Sequence, residues 1–304
     1  MMPSISDSNR TVDNGGRIVF FIRALFFESI MPEIGGKGDQ AVDGYPCSEY
    51  FNKHFKITIE EYREKIHQIQ LSCISKISNR IIYNRLDKDC TNPWHSPYQT
   101  IQKSALKELQ RLRDDDIIIP LDDDDWLSPE IKFLNFDRDT LTMWNCFSMD
   151  VSNERLHYHV GNNPLPPELD DRHLSSARDL LSNCGAICAS VIKRMIYYNK
   201  KKATEMLLRH VLPRIVIREH PYNKWGLHEK IYPDYLAVYV RHAGNITLFS
   251  QRGKFNPNNS DFFRERMEMY KNKNQYEFSL DSLPKEMEWS KEYFLQLKKL
   301  NEKL

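Results

Sequence analysis

The chain lacks an excess of charge of either sign. Across its 304 residues, 43 Lys and Arg stand against 42 Asp and Glu, a formal net charge of +1. That balance excludes the basic field that recruits nucleic acid, which is not expected as a main partner. Disulfide and zinc patterns are missing too. The six cysteines, Cys47, Cys73, Cys90, Cys146, Cys184 and Cys188, include no C-x-x-C pair, and their scatter points to a reducing, intracellular setting. No apolar run reaches the ~18 residues of a membrane span. The strongest stretch, Ile18 to Phe27, is interrupted by Arg23, so a soluble, cytoplasmic chain without a transmembrane segment is expected. Met1 to Gly16 has no basic segment followed by an apolar core; it is read as a flexible N-terminus rather than a secretory signal. The sequon Asn245-Ile246-Thr247 is then incidental. Internal repeats and low-complexity tracts are absent.

What is present alternates. Ile18 to Phe27 is β-branched and aromatic, as in a strand buried on both faces. Glu28 to Lys56, with Gly35-Gly36, Gly38, Asp43-Gly44 and Pro46, reads as a long loop. Thr58 with Glu61 forms a capping box, and Ile59, Tyr62, Ile66, Ile69, Cys73 and Ile77 then repeat along one helical face. Arg80 to Arg85 is a short strand. Ser96-Pro97 with Gln99 starts a second helix whose apolar face is Tyr98, Ile101, Ala105, Leu109 and Leu112. Strand alternating with helix argues for a parallel sheet covered by helices. Farther on, Thr140 to Phe147 and Arg155 to Val160 read as a hairpin. Leu174 to Leu181 reads as a helical turn, Val191 to Leu212 as a helix and Tyr235 to Val240 as a late strand. The small residues from Asn183 to Ala189 suit close approach of a ligand or of another backbone. Past a linker at Asn256 to Asn259, Asp261 to Lys273 and Leu283 to Leu304 read as charged amphipathic helices, an appendage rather than part of the site.

The informative stretch is Ile117 to Pro129. An apolar run, Ile117-Ile118-Ile119-Pro120-Leu121, ends in Asp122, Asp123, Asp124 and Asp125, and Trp126-Leu127-Ser128-Pro129 follows at once with a helix-start signal. Adjacent carboxylates repel one another, and a bound cation is the simplest offset. Oxygen-only donors suit Mg²⁺ or Mn²⁺. A solvated acidic turn is the plain alternative.

This stretch resembles the Asp-x-Asp-Asp-x-x-x-Pro signature of GT-A-fold glycosyltransferases, particularly the large group of inverting enzymes. Tyr235 to Asn245, with His242-Ala243-Gly244-Asn245, resembles the closing strand and His-Gly-Asn turn of rhamnosyltransferase-like members. The likeness runs from about Arg17 to Leu248. It implies an α/β, GT-A-like (Rossmann-like), mostly parallel central sheet flanked by helices, with a C-terminal helical extension. The implied division is a flexible N-terminus at 1–16, a catalytic domain at 17–250 and the extension at 251–304.

The implied activity is metal-dependent transfer of a sugar from a UDP-, GDP- or dTDP-sugar to a hydroxyl of a glycan or glycoconjugate. Asp124 and His242 would hold Mn²⁺ or Mg²⁺, Asp122 would reach the ribose or a metal-bound water, Asp123 belongs to the Asp-x-Asp element, and Asp125 would orient either. Arg23, Arg85 and Asp87, at strand ends, are expected to meet base or phosphate. An inverting transfer needs a general base. Asp179 is the first candidate and Glu219 the second, with Asp171 and Glu229 behind them. Two other readings stay open. His157-x-His159 with the acidic cluster would suit a two-metal phosphohydrolase. An acidic loop that binds Ca²⁺ would suit a non-catalytic interaction protein, although it lacks the spacing and central Gly of an EF-hand.

Overall fold

The computed structural model describes residues 17–24, 57, 59–85, 101–150, 155–159, 184–208, 227–241, 283 and 285–302. The strands are β1 (Ile18–Ala24), β2 (Ile81–Arg85), β3 (Ile117–Asp122), β4 (Trp126–Leu127), β5 (Thr140–Asp150), β6 (Arg155–His159), β7 (Gly185–Cys188) and β8 (His228–Arg241). The α-helices are α1 (Ile59–Ile74), α2 (Lys103–Arg111), α3 (Ala189–Leu208) and α4 (Lys291–Glu302), with short 3-10 helices at Pro129–Phe133 and Lys285–Ser290.

All described strands belong to one sheet, ordered β2-β1-β3-β7-β5-β8-β4, with β6 also paired to β5. The side β2-β1-β3 is parallel, as alternation of strand and helix requires. The expected mostly parallel sheet is nevertheless mixed. β7 runs antiparallel to both β3 and β5, β6 is antiparallel to β5, and β4 is antiparallel to β8; β5 and β8 form the remaining parallel pair. Apart from the β5–β6 hairpin, direction in this second half depends on which distant strands meet, and no local signal carries that. The Asn183 to Ala189 run supplies β7 itself. A methyl group on Gly185 would meet Leu141 and the Thr142 carbonyl at 3.6 Å, ordinary packing contact, so the close approach of β5 does not itself demand glycine there.

Local signals set other elements. α1 buries Tyr62, Ile66, Ile69 and Cys73, the periodic positions of its sequence. α2 begins at Lys103, later than the Ser96-Pro97 signal predicts. Gln102 is extended (φ −55, ψ 147), and its N–H donates to Asn84 Oδ1 at 2.9 Å rather than entering a helix; residues 86–100 lie outside the described residues. α3 is two helices joined at Asn199 (φ −153, ψ 77), whose side chain accepts the Lys202 N–H at 3.2 Å as an N-cap. Pro233 sits in β8 opposite a register shift in β5, the kind of irregularity that tolerates a strand proline, and Asn145 Nδ2 donates to its carbonyl at 2.7 Å.

Two apolar clusters hold the layers. The larger lies between the sheet and α2 and α3. The smaller joins α1, β4, β8 and the C-terminal helices: Trp126 packs with its ring centroid 5.2 Å from Phe294 and 5.7 Å from Tyr293. The helix expected as an appendage therefore shares a core with the segment that follows the acidic cluster. At the opposite end of β3, buried Asp116 accepts from Arg17 Nε and Nη2 at 3.0 Å and from the Arg113 N–H at 2.9 Å, and it forms an ion pair with Arg80 Nη1 at 3.4 Å. Burial opposes its charge, but Arg17, the Arg113 amide and Arg80 outweigh burial and hold its carboxyl below the ordinary range. No helix among the described residues is long and apolar enough to cross a membrane.

Candidate functional site

β3 delivers the acids as its sequence promises. Ile117 to Leu121 are buried, and the strand ends at the partly exposed Asp122. Its ladder to β7 covers only Ile117 and Ile118, so Pro120, which has no N–H, lies where β3 is paired on the β1 side alone. Asp123 and Asp124 turn the chain, and Trp126 and Leu127 pair with β8. Ser128 then caps the next helix, its hydroxyl accepting the Glu130 N–H at 3.2 Å with Pro129 at the first position. That helix is 3-10 rather than α.

The four carboxylates have different surroundings. Asp122 is the register partner of Arg23 across β1 and β3, and its Oδ1 lies 2.7 Å from Arg23 Nη2. Both oxygens of Asp123 accept from Arg63 Nη2 at 3.0 Å. Asp124 is buried. Asp125, only 1% exposed, accepts the Val240 N–H at 3.3 Å and so ties the turn to β8. Burial pushes its carboxyl well above the ordinary range, the charges of Asp124 and Asp122 push the same way, and Arg23 opposes them. Two guanidinium groups thus face four carboxylates, and of the four Asp125 is the one whose surroundings favour the protonated form.

α1 supplies the rest of the setting, which the apolar periodicity of its sequence does not reveal. Beside its apolar stripe runs a polar one, Arg63, His67 and Gln70, at the spacing that keeps residues on one helical face. Gln70 Nε2 donates to the carbonyl oxygens of Asp122 and, at 2.8 Å, of Asp125. His67 Nδ1 lies 3.0 Å from Gln70 Oε1 and 3.2 Å from the Asp123 carbonyl, and its Nε2 lies 3.1 Å from the Tyr83 hydroxyl. One turn on, Cys73 Sγ donates to the Leu127 carbonyl at 3.0 Å; burial pushes this thiol up to about 12, so it stays protonated. The available sequence signal was polar residues at intervals of four and three inside a helix otherwise bound for the core.

Of the residues expected in the site, Arg23, Asp122, Asp123, Asp124 and Asp125 come together at the ends of β1 and β3. The Arg85 backbone closes β2 in register with Ala24; its side chain, and Asp87, Asp171, Asp179, Glu219 and His242, lie outside the described residues. Glu229 is exposed near the start of β8, eleven positions from Val240 and roughly 36 Å along an extended strand. It is not brought to the turn. Nor are His157 and His159: β8 and β5 stand between β6 and β4, which sets their backbones about 14 Å apart. Cys73, Cys146, Cys184 and Cys188 are buried free thiols. Among the described residues no group of three or more His, Cys, Asp or Glu side chains is arranged to hold a metal ion. The local donors are all carboxylate oxygen, the chemistry a hard divalent cation takes. Comparison of the chain with protein-family models, curated proteins and solved structures finds no match.

Proposed function

We propose that this chain is a GT-A-like, metal-dependent glycosyltransferase that moves a sugar from a nucleoside-diphosphate donor to a hydroxyl of a glycan or glycoconjugate. The observation that carries the reading is the acidic turn at the carboxyl end of β3, beside a parallel β2-β1-β3 unit. Ligands of open α/β sheets bind outside the carboxyl ends of strands. Arg23 and Arg63 offset two of the four carboxylates at that end, and a cation would offset the charge that remains. Asp125 strengthens the reading by anchoring Val240, two residues before His242, to the same turn.

In this mechanism Asp124 and His242 would hold Mn²⁺ or Mg²⁺. When bound, the ion would supply a Lewis acid for the charge on the departing diphosphate. Asp122 would meet the donor's ribose or help to hold the ion. Arg23, already beside Asp122, offers its guanidinium to a phosphate oxygen. Asp179 or Glu219 accepts the acceptor hydroxyl's proton. Scattered free thiols agree with a cytoplasmic setting.

The test is thermal unfolding with UDP, GDP and dTDP, each with Mn²⁺ and with chelator. A ligand at 100 times its Kd stabilises the folded state by about 2.7 kcal/mol, so one nucleotide should raise the Tm only when Mn²⁺ is present. Asp124→Ala should abolish that shift. Absence of any metal-dependent shift with all three nucleotides rejects the transferase.

A further inference from the structure

We infer that Gln70 and His67 are positioning residues of the acidic turn: they set the aim of Asp122 to Asp125 by holding the backbone from behind. The inference rests on the transferase reading and adds to it the part of the site that fixes its geometry.

The argument begins with burial. Gln70 is 0% exposed and His67 is buried, although both lie on a helix whose neighbouring stripe is apolar. Burying an amide and an imidazole is favourable only when their hydrogen bonds are made. Theirs go to the turn. The Gln70 amide nitrogen donates to the carbonyls of Asp122 and Asp125, the first and last residues of the acidic run. His67 Nδ1 faces the Asp123 carbonyl and the Gln70 side-chain oxygen. Both partners are acceptors, so Nδ1 carries the hydrogen and bridges them; Nε2 is left to accept from the Tyr83 hydroxyl. The relay Tyr83, His67, Gln70 and turn has one direction of donation throughout, which fixes the glutamine with its nitrogen toward the turn.

The consequence is geometric. Three carbonyls of the run, those of Asp122, Asp123 and Asp125, are held toward α1. A carbonyl's direction fixes its peptide plane, and the planes fix where the side chains of the run emerge. Arg63 adds a grip on the Asp123 carboxylate from the same helix. Glutamine suits the position: a carboxylate would repel the carbonyls, methionine would donate nothing, and asparagine is one methylene short. Partners that orient ligating residues in this way influence metal affinity without touching the metal.

The experiment uses the full chain, with Mn²⁺ and the nucleoside diphosphate that binds wild type as probes. Mn²⁺ affinity is read by electron paramagnetic resonance at a temperature where each variant is folded by circular dichroism. Gln70→Met should weaken Mn²⁺ binding on the order of tenfold or more. Tyr83→Phe, which removes only the far end of the relay, should weaken it by less and in the same direction. Val191→Ala, buried on α3 beside the opposite end of β3, is the control: it lowers the Tm and should leave affinity unchanged. A purely structural role for Gln70 would lower its Tm and leave Mn²⁺ affinity at the wild-type value, and that result overturns the inference. If Gln70→Met does not fold, unchanged affinity in Tyr83→Phe overturns it instead. If wild type binds Mn²⁺ with none of the diphosphates, the transferase reading falls first and this inference falls with it; normal wild-type binding with unaffected variants removes the inference alone.

Discussion

Replacing Asp125 with asparagine should stabilise this protein, and the gain should grow with pH. Asp125 is 1% exposed, and its carboxyl is pushed well above the ordinary carboxylate range by burial and by Asp124 and Asp122. In the unfolded chain an aspartate ionises near pH 3.9. Below about pH 4 both states carry the proton, and the group has no pH-dependent effect on stability. Above that pH the unfolded chain releases a proton that the folded chain retains. Stability is then lost at about 1.4 kcal/mol per pH unit until folded Asp125 itself ionises. Asparagine has no such proton, and its side-chain oxygen can still accept the Val240 N–H that Asp125 accepts at 3.3 Å. Urea unfolding of both proteins at half-unit steps from pH 4.5 to pH 7.5 measures the difference. The variant's advantage should widen with pH by up to about 1.4 kcal/mol per unit. An advantage independent of pH, or a variant less stable than wild type throughout, refutes the assigned burial and repulsion.

Two further substitutions test the ends of the structure. Asp116→Asn removes the charge that Arg17 and Arg80 share and should cost about 2–3 kcal/mol in urea unfolding at pH 7. Because the Asp116 carboxyl is held low, its stabilisation is complete above about pH 4 and declines as pH falls through the folded-state value; wild type should converge on the variant in acid, and parallel curves would contradict this. Phe294→Ala, beneath Trp126, should cost about 3–5 kcal/mol in the same assay, and a loss under about 1 kcal/mol would mean that α4 is not seated on Trp126.

Legibility in the sequence followed the range of the interaction. Ile117 to Pro129 could be read because each part is local: a run of β-branched residues makes the strand, adjacent aspartates make the turn, and Ser128 caps its own next residues. The apolar face of α1 could be read for the same reason. The start of α2 could not, because Asn84 from another strand takes the N–H of Gln102. The direction of β7 was hidden too: an apolar run buries equally well in either direction, and only pairing with β3 and β5 chooses. His67 and Gln70 were passed over because their partners in the acidic turn lie more than fifty residues away.

By itself, then, the sequence determined that a buried strand would end in four acids and that helices and strands would alternate around it. Tertiary structure decided what each acid meets: Arg23 across the sheet for Asp122, Arg63 from α1 for Asp123, and the Val240 amide for Asp125. The physical reason is that identical side chains differ only through their surroundings. Those surroundings are brought together by packing between segments, including one 115 residues farther along the chain.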